Sequence, residues 1–420
     1  MPFSFPARGQ DAVRRHAAQR PGRRGRYLAA LALSGLLAFT GAGMVLAYQS
    51  VQSRVATHDL DEILGRGDGA GHASGSDDDA APDDPLSGRA YNVMLMGSDA
   101  RNSDNEDDYG FAGGMRSDTN LIVHVAADRS RVDVVSIPRD LLVDVPSCPL
   151  PDGRQTAPMS AGSDDNGTRF NAAFAYGGQT GDVAYAAACT ILTTEAMTGL
   201  HIDDFVVVDF EGFVEVIDAI GGVQMCFDED IDAPKARLQI HAGCHRLAGD
   251  TALGVARARV GVDDGSDISR IERQQQLFGA IADEVLGSNL VTDTPALFRF
   301  LQATASAMTT SERIGNLTTM GGLAYSLRHL DTSHVTFATV PFDWAGNVVV
   351  QNADGEPLWQ SLRDDEPMVL PQADDEPRSG DEGPADQEAP ADGPADRDTD
   401  EGSLEARTNG ADDLLAGARV

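Results

Sequence analysis

The chain has 420 residues, of which 66 are acidic and 32 are Lys or Arg, so its formal net charge is −34. This excess of acid argues against a general nucleic-acid binder, because such a protein needs a basic face to meet phosphates. Hydrophobic residues make up 41% of the chain, which is enough for a core. Aromatic residues make up only 6%, which gives little support for a platform that stacks bases or sugars.

The N-terminal end opposes the sign of the whole chain. Residues 1–26 contain seven Arg and one acid, and residues 27–48 then carry no charge at all. As a helix, residues 27–48 span about 33 Å, which matches the hydrocarbon thickness of a bilayer. The sequence therefore predicts a basic cytoplasmic stub, a single-pass signal anchor in the cell membrane, and an extracellular remainder.

A cleaved signal peptide is the alternative for this segment, because small residues at 42–47 offer a cleavage site. The uncharged run is longer than the apolar region usual for such peptides, which favours the uncleaved anchor. Both interpretations place the body of the protein outside the cytoplasm.

Two further segments have compositions that do not form a core. Residues 49–89 become rich in Gly, Asp, Ser and Ala, which predicts a disordered stalk. Residues 364–420 are acidic and of low complexity, which predicts a disordered, extended tail. We expect one large domain over 90–345, with its end at 346–363.

Within this domain, short β-rich runs alternate with helical patterns, which predicts an α/β fold. The predicted strands are 92–96, 120–126, 132–137, 204–210 and 334–340. The predicted helices are 182–198, 211–220, 250–256, 267–286 and 295–308.

Four cysteines lie in the segment placed outside the membrane, where they can be oxidised. Cys226 and Cys244 are close in sequence around a predicted turn, so we pair them, and Cys148 then pairs with Cys189. The alternative is a zinc site, because residues 241–245 include two His beside Cys244, but no CxxC pair supports it.

Arginine next to aspartate recurs at the ends of three predicted strands. The first strand leads into Asp99, the second is preceded by Arg116 and Asp118, and the third leads into Arg139. Ligands of α/β sheets bind in the crevice beyond the strand ends. These residues are therefore a candidate site for an anion and a metal.

The helix predicted at 267–286 places polar groups on its inward face. At 100° per residue, Asp267, Arg270 and Gln274 share a stripe that continues as apolar residues. An ion-pair network is one explanation, since buried charges need partners. The number of arginines in an acidic domain, including Arg257 and Arg259, favours a pocket for a polyanion, and guanidinium forks suit phosphate best.

Asp99 and Asp118 are candidate ligands of a hard divalent ion such as Mg²⁺, because such ions take carboxylate oxygen. Solvated loop carboxylates are the alternative for this pair. The sequence contains no standard nucleophile signature and no Walker loop.

Taken in order, these stretches resemble the LytR-CpsA-Psr family of cell-wall glycopolymer transferases, over roughly residues 90 to 285. The matching segments are 92–101 (NVMLMGSDAR), 116–119 (RSDT), 135–140 (VSIPRD), 171–178 (NAAFAYGG), 208–210 (VDF) with 221–223 (GGV), 257–259 (RAR), and 267–270 (DISR) with 273–274 (RQ).

The resemblance implies a three-layer α/β/α sandwich with a central mixed sheet and a polyprenyl groove. It also implies Mg²⁺-assisted transfer of a glycopolymer from a polyprenyl pyrophosphate carrier to a peptidoglycan sugar hydroxyl. Asp99 and Asp118 would hold the Mg²⁺, Asp267 would orient the neighbouring arginines, and Asp99 is a candidate base. The groups implied to hold the pyrophosphate are Arg116, Arg139, Arg257, Arg259, Arg270 and Gln274, together with Arg169, which stands where the family usually has Lys.

Two other functions fit the same residues. A pyrophosphatase would use the arginines and Mg²⁺ with water as the acceptor. A membrane-tethered binder or regulator of wall polymers would keep the anion pocket without turnover.

Overall fold

The computed structural model describes residues 49, 52–53, 55–67, 84, 86–99, 115–162, 167–258, 267–287, 307–330 and 332–370. The strands in these residues are β1 (Ala56–His58), β2 (Tyr91–Ser98), β3 (Ser117–Val125), β4 (Val132–Ser136), β5 (Asp204–Val208), β6 (Val223–Phe227), β7 (Ile231–Ala233), β8 (Leu238–Ile240), β9 (Gly243–Leu247), β10 (Met308–Ser311), β11 (Val335–Thr339), β12 (Phe342–Ala345) and β13 (Val348–Gln351). The α-helices are α1 (Leu60–Leu64), α2 (Phe170–Gly177), α3 (Val183–Thr198), α4 (Phe210–Ala219), α5 (Gly249–Arg257), α6 (Asp267–Gly287), α7 (Leu317–Ser326) and α8 (Gly355–Arg363).

Seven strands form a central mixed sheet in the order β1, β10, β5, β2, β3, β4, β11. β2 is parallel to β5 and antiparallel to β3, β3 is antiparallel to β4, and β4 is parallel to β11. β10 is antiparallel to β5 and parallel to β1. One end of the sheet therefore carries the carboxyl ends of β2, β4, β5 and β11 and the amino ends of β1, β3 and β10. We call this end of the sheet its upper end.

Alternation along the strands gives the sheet two apolar faces. In β2, Met94 and Met96 pack in a cluster with α1, α2, α3 and α8, whereas Tyr91 and Val93 pack in a separate cluster that includes Phe278 of α6 and residues of α7. Successive side chains of a strand point to opposite faces, so both faces must be covered by helices. The arrangement is the α/β/α layering implied by the family resemblance.

A third apolar cluster lies beside the sheet and joins α4, α5, the strands β6 to β9 and α6. Within it, β6 pairs with β9 and β7 with β8, each pair antiparallel. The Cys226–Cys244 disulfide links β6 to β9, and the Cys148–Cys189 disulfide ties a loop to α3, so both predicted pairings are confirmed. The zinc alternative is wrong for Cys244, because its sulfur is oxidised.

The predicted core elements are confirmed, with shifted boundaries and one gap. All five predicted strands and the first four predicted helices are present, although 204–210 ends early because Asp209 caps α4. Its carboxylate accepts a hydrogen bond from the amide of Gly212 at 2.7 Å, which starts a helix instead of continuing a strand. Of the helix predicted at 295–308, residues 295–306 lie outside the described residues, and Met308 begins β10.

The predicted stalk is wrong at both of its ends. Residues 52–53 and 55–66 belong to the domain, and so does Leu86, which is 3% exposed and packs in the cluster of Tyr91. Gln52 exchanges two hydrogen bonds with the backbone at the start of α7, and β1 pairs with β10. Leu60 of α1 is only 3% exposed. Residues 56–64 are too short to show a clear period in the sequence, and they are ordered by contacts with residues far along the chain.

The C-terminal boundary also lies beyond the predicted start of the tail. Asp365 accepts hydrogen bonds from Arg131 at 2.9 Å and from the amide of Ala127 at 3.0 Å, and it contacts buried His124 at 3.1 Å. These three partners hold the chain after α8 against the sheet, so the domain includes residue 365. The rest of the predicted tail, from residue 371, lies outside the described residues.

No helix in the described part of the chain has the length and apolar composition needed to cross a bilayer. The predicted stub at 1–26 and the predicted anchor at 27–48 both lie outside it.

A charged cluster attaches the segment after α1 to α3 and predicts a pH dependence. Arg66 and His201 both contact Glu195. The hydrogen bond to Glu195 raises the pKa of His201, so this stabilisation is present below about pH 6.5 and is lost as the pH rises through the folded value. Burial opposes ionisation of Glu195, but bonds from His201, Ile202 and Arg66 lower its pKa overall, so its contribution is lost in acid.

We expect His201→Gln to lower Tm more at pH 5.5 than at pH 8.5, because the wild-type imidazolium is present only at the lower pH. Thermal unfolding followed by circular dichroism at both pH values measures the difference. His329→Gln is the control at an exposed position, and it should change Tm by the same amount at the two pH values. A loss of Tm in His201→Gln that is equal or larger at pH 8.5 would contradict the stabilising contact between protonated His201 and Glu195.

Candidate functional site

A β-bulge at the upper end of the sheet places the first acidic group of the site. Gly97 pairs with Thr119 and Ser98 pairs with Ser117, so Asp118 is an extra residue in β3. Asp118 and Thr119 both line the same cavity, and the bulge lies at its edge. The Ser117 hydroxyl donates to the Thr119 carbonyl at 3.1 Å and holds the bulge in shape.

Asp99 follows β2 directly and lies beside the bulge. Its amide donates to the Arg116 carbonyl at 3.0 Å, and its carboxylate accepts from the Arg116 amide at 2.6 Å. This pairing fixes the loop carboxylate next to Asp118, and both residues line the cavity. Arg116 itself is exposed and contributes its backbone to this arrangement.

Arg139, just beyond the end of β4, connects the cavity to a row of ion pairs. Its Nη1 donates to Asp118 at 2.9 Å and its Nε donates to Asp140 at 3.3 Å. Arg169, at the start of α2, lies 3.4 Å from the other Asp140 oxygen. The row therefore runs Arg169, Asp140, Arg139, Asp118, and only its last two members line the cavity.

The polar stripe of α6 closes the opposite wall. Arg270 is 3% exposed and Gln274 is 6% exposed, and both line the cavity. Arg270 donates to the Asp118 carbonyl at 3.5 Å, and Gln274 donates to the Ala256 carbonyl at 3.1 Å. The predicted inward face of this helix is thus confirmed, and its polar groups bind the carboxyl end of α5 and the bulge of β3.

The cavity encloses about 410 Å³ and changes character along α6. Arg270 and Ile281 both line it and are eleven residues apart, which corresponds to about 16 Å of helix. The apolar lining consists of Leu95, Met96, Val208, Phe210, Phe213, Val216, Ile217, Leu253, Ala256, Leu277, Phe278, Ile281 and Met308. A charged region therefore continues into an apolar one within about 16 Å of α6.

Arg257 and Asp209 complete the charged part of the lining. The Arg257 guanidinium lies 4.5 Å from the centre of the Phe210 ring, a cation–π contact that holds the charge at the border of the apolar region. Burial raises the pKa of Asp209 above its ordinary value, against the hydrogen bond from the Gly212 amide. Sequence reasoning gave Asp209 no role, although it lies in the matching segment 208–210 and directly after β5.

The structure brings most of the predicted site residues together. Six of them line one cavity, namely Asp99, Asp118, Arg139, Arg257, Arg270 and Gln274. Arg116 and Arg169 lie outside that lining. Asp267 is the first residue of α6, one turn before Arg270, and Arg259 lies outside the described residues. The ion pairs of the site join Arg139 and Arg169 to Asp118 and Asp140, whereas Arg270, for which an ion-pair network was the alternative, donates to the Asp118 carbonyl.

The two carboxylates fit one mode of Mg²⁺ binding. Among the described residues, no group of three or more His, Cys, Asp or Glu could hold a metal ion. Mg²⁺ is commonly bound by one or two carboxylates together with substrate phosphates and water. Asp99 and Asp118 border one cavity lined by arginines, and the Asp118 side chain is 36% exposed, so this donor set suits such an ion.

Comparison with curated proteins finds relatives involved in the cell wall. The chain is 29% identical over 294 residues to the probable cell wall biosynthesis protein LcpB of Corynebacterium glutamicum, covering 68% of this chain and 64% of that protein. It is 31% identical over 204 residues to the polyisoprenyl-teichoic acid–peptidoglycan teichoic acid transferase TagV of Bacillus subtilis, covering 47% of this chain and 44% of that protein. The chain thus spans less than two thirds of the length of either relative.

A solved structure and a family model agree with the motifs. Protein gbs0355 from Streptococcus agalactiae superposes with a TM-score of 0.51 at 18% identity, over 67% of this chain and 90% of that one, which shows a shared fold. The model of the LytR_cpsA_psr family matches residues 67–364, more than half of the chain, and this range contains every cavity-lining residue. The chain therefore belongs to the LytR-CpsA-Psr family.

Proposed function

We propose that this protein transfers a glycopolymer from a polyprenyl pyrophosphate carrier to a sugar hydroxyl of peptidoglycan. The observation that carries the proposal is the cavity whose lining changes from charged to apolar over about 16 Å of α6. A donor with a pyrophosphate and a polyprenyl chain has the same two-part character. The curated relative TagV, named as a teichoic acid transferase, supports the same reaction class.

The arginines bind the donor and stabilise charge in this reaction. Arg139, Arg257 and Arg270 converge on the charged part of the cavity, with Gln274 beside them. The acceptor oxygen attacks the phosphorus that carries the glycopolymer, a phosphodiester bond forms, and the bond to polyprenyl phosphate breaks. Polyprenyl phosphate leaves with the electron pair, and the guanidinium groups stabilise the charge that develops on it.

Asp99 is the proposed acceptor of the hydroxyl proton, because it lines the cavity at the loop after β2. Asp99 and Asp118 are also the residues that would hold Mg²⁺, which supplies positive charge to the pyrophosphate oxygens when it is bound. Asp267, at the start of α6, is proposed to orient Arg270 one turn later.

The course of the N-terminal segment changes the proposed role of the tether. With an anchor at 27–48, only three residues separate it from docked Gln52, instead of a stalk of about 40 residues. Ala56 pairs with Thr309, which follows Met308 in the apolar lining. We propose that the anchor holds the apolar region of the cavity close to the membrane, where the lipid-linked donor resides.

Reconstitution tests the proposed function. The full chain in detergent micelles is incubated with Mg²⁺, a short polyprenyl pyrophosphate glycan and peptidoglycan fragments, and the products are identified by mass spectrometry. The full chain is needed because residues 56–58 form part of the sheet. A glycan-peptidoglycan adduct supports the transferase. Polyprenyl phosphate and glycan phosphate without adduct would indicate a pyrophosphatase, and donor binding without products would indicate a binder.

Arg169 has a separate predicted effect, because it contacts Asp140 and does not line the cavity. We expect Arg169→Met to lower kcat about tenfold, since Arg139 loses the support of a fixed Asp140. Arg169→Lys should restore most of the rate, because it keeps the charge beside Asp140. Steady-state kinetics measures kcat of both variants. The concentration of Mg²⁺ that gives the half-maximal rate is a second readout, and it should be the same in both variants as in wild type. Undiminished turnover in Arg169→Met would contradict this positioning role.

A further inference from the structure

One tryptophan of the chain is exposed, although tryptophan is highly buried on average. The sequence contains two tryptophans. Trp359 is fully buried, whereas Trp344 on β12 is 59% exposed. The rings of Trp344 and Phe342 are perpendicular with 5.7 Å between their centres, and this contact holds the Trp344 ring against the domain. The result is a fixed aromatic face open to solvent, which the aromatic composition of the chain did not predict.

Trp344 lies at the upper end of the sheet, near the row of ion pairs. β11 ends at Thr339 and pairs in parallel with β4, which leads into Arg139, so β12 begins beside the site. Backbone contacts connect Trp344 to Arg169 in three steps. Trp344 pairs with Val349, the Leu142 amide donates to the Val349 carbonyl, and Leu142 forms a β-bridge with Arg169. Three strand spacings separate the first and last of these backbones, which is about 14 Å.

The aromatic face and the N-terminal segment lie on opposite sides of the cavity. β1 forms one edge of the sheet and β11 forms the other, and the acidic pair lies on β2 and β3 between them. The predicted membrane anchor leads into β1, whereas Trp344 follows β11. A ligand on Trp344 would therefore reach the charged end of the cavity from the side away from the anchor.

We propose that Trp344 is a binding platform for a sugar ring of the acceptor glycan strand. The axial C–H groups of a pyranose ring pack against an aromatic face, which is a contact available to a carbohydrate without any hydrogen bond in a fixed position. A glycan stacked there places a neighbouring sugar of the same strand toward Arg139 and Asp118. This inference rests on the proposed function for its ligand, because peptidoglycan is the acceptor there.

Tryptophan fluorescence tests the platform without turnover. Full-length protein in detergent is titrated with soluble peptidoglycan glycan fragments in the absence of donor, and acrylamide quenching is recorded. Quenching of wild type reports Trp344, because Trp359 is inaccessible. We expect saturable protection from quenching that is absent in Trp344→Ala. Quenching that stays unchanged at a high concentration of fragment would overturn the proposal. Protection by anionic phospholipid vesicles but not by fragments would also overturn it and would indicate that Trp344 contacts the membrane.

Kinetics distinguishes failure of the platform from failure of the proposed function. In the reconstituted reaction, Trp344→Ala should raise KM for the acceptor about tenfold and leave kcat and donor affinity unchanged, and Trp344→Phe should recover most of the loss. Tyr325→Ala, which removes an exposed aromatic ring on α7, should have no effect. An unchanged acceptor KM in Trp344→Ala would reject the platform. Protection of Trp344 by fragments without any adduct in wild type would retain the platform and reject the transferase.

Discussion

Arg139→Ala is expected to reduce glycopolymer transfer at least about 100-fold, which is the largest effect on activity predicted for this chain. Arg139 links Asp118 in the cavity to Asp140, so its removal takes away both a charge at the pyrophosphate and the geometry of the acidic pair. The fold should survive, because Asp118 is 36% and Asp140 23% exposed, and water can solvate the carboxylates that lose their partner.

The measurement is the rate of adduct formation in the reconstituted reaction, with circular dichroism to verify folding. Arg139→Lys should show an intermediate rate, because it keeps the charge but loses the two-pronged donor geometry. Arg154→Ala is a matched control, since Arg154 pairs with Asp152, two residues before it, and its side chain is 76% exposed. Turnover of Arg139→Ala at the wild-type rate would refute the assignment of the site.

Trp359→Ala is expected to lower the free energy of unfolding by about 3–5 kcal/mol, the largest stability effect we predict. Trp359 is fully buried in the apolar cluster beneath the sheet, and its indole N–H donates to Gln351 at 3.0 Å. Truncation would leave a cavity and would remove the donor to the side-chain oxygen of Gln351.

Urea denaturation followed by circular dichroism measures this loss. Trp344→Ala is the matched control in the same residue type, and its exposed position predicts a change within about 0.5 kcal/mol. Equal destabilisation by the two variants would show that burial does not distinguish them and would contradict the assignment of α8 to the core.

Several features of the site could be read from the chain because they depend on local pattern. The stripe of Arg270 and Gln274 follows from helical periodicity, and the structure places both on the cavity wall. The disulfides followed from the spacing of four cysteines. The groups of Asp99, Asp118 and Arg139 followed from the rule that ligands bind beyond strand ends.

Other features depend on register and on distant partners, which no short window of sequence contains. The bulge that turns Asp118 into the cavity is a property of how β3 pairs with β2. The separation of Arg169 from the cavity is set by its contact with Asp140 across the fold. The exposure of Trp344 and the burial of Trp359 differ although the residues are identical, because only packing decides which ring is covered.

By itself, the sequence determined the identity of the chemical groups, the family resemblance, and the helices and strands whose period repeats over several turns or pleats. Only the tertiary structure decided that residues 52–53 and 55–66, together with Asp365, belong to the domain, because their order comes from long-range contacts that individually short segments cannot supply. It also decided that six predicted residues share one cavity, since convergence from β2, β3, α5, α6 and the loop after β4 is a consequence of strand order and layer packing.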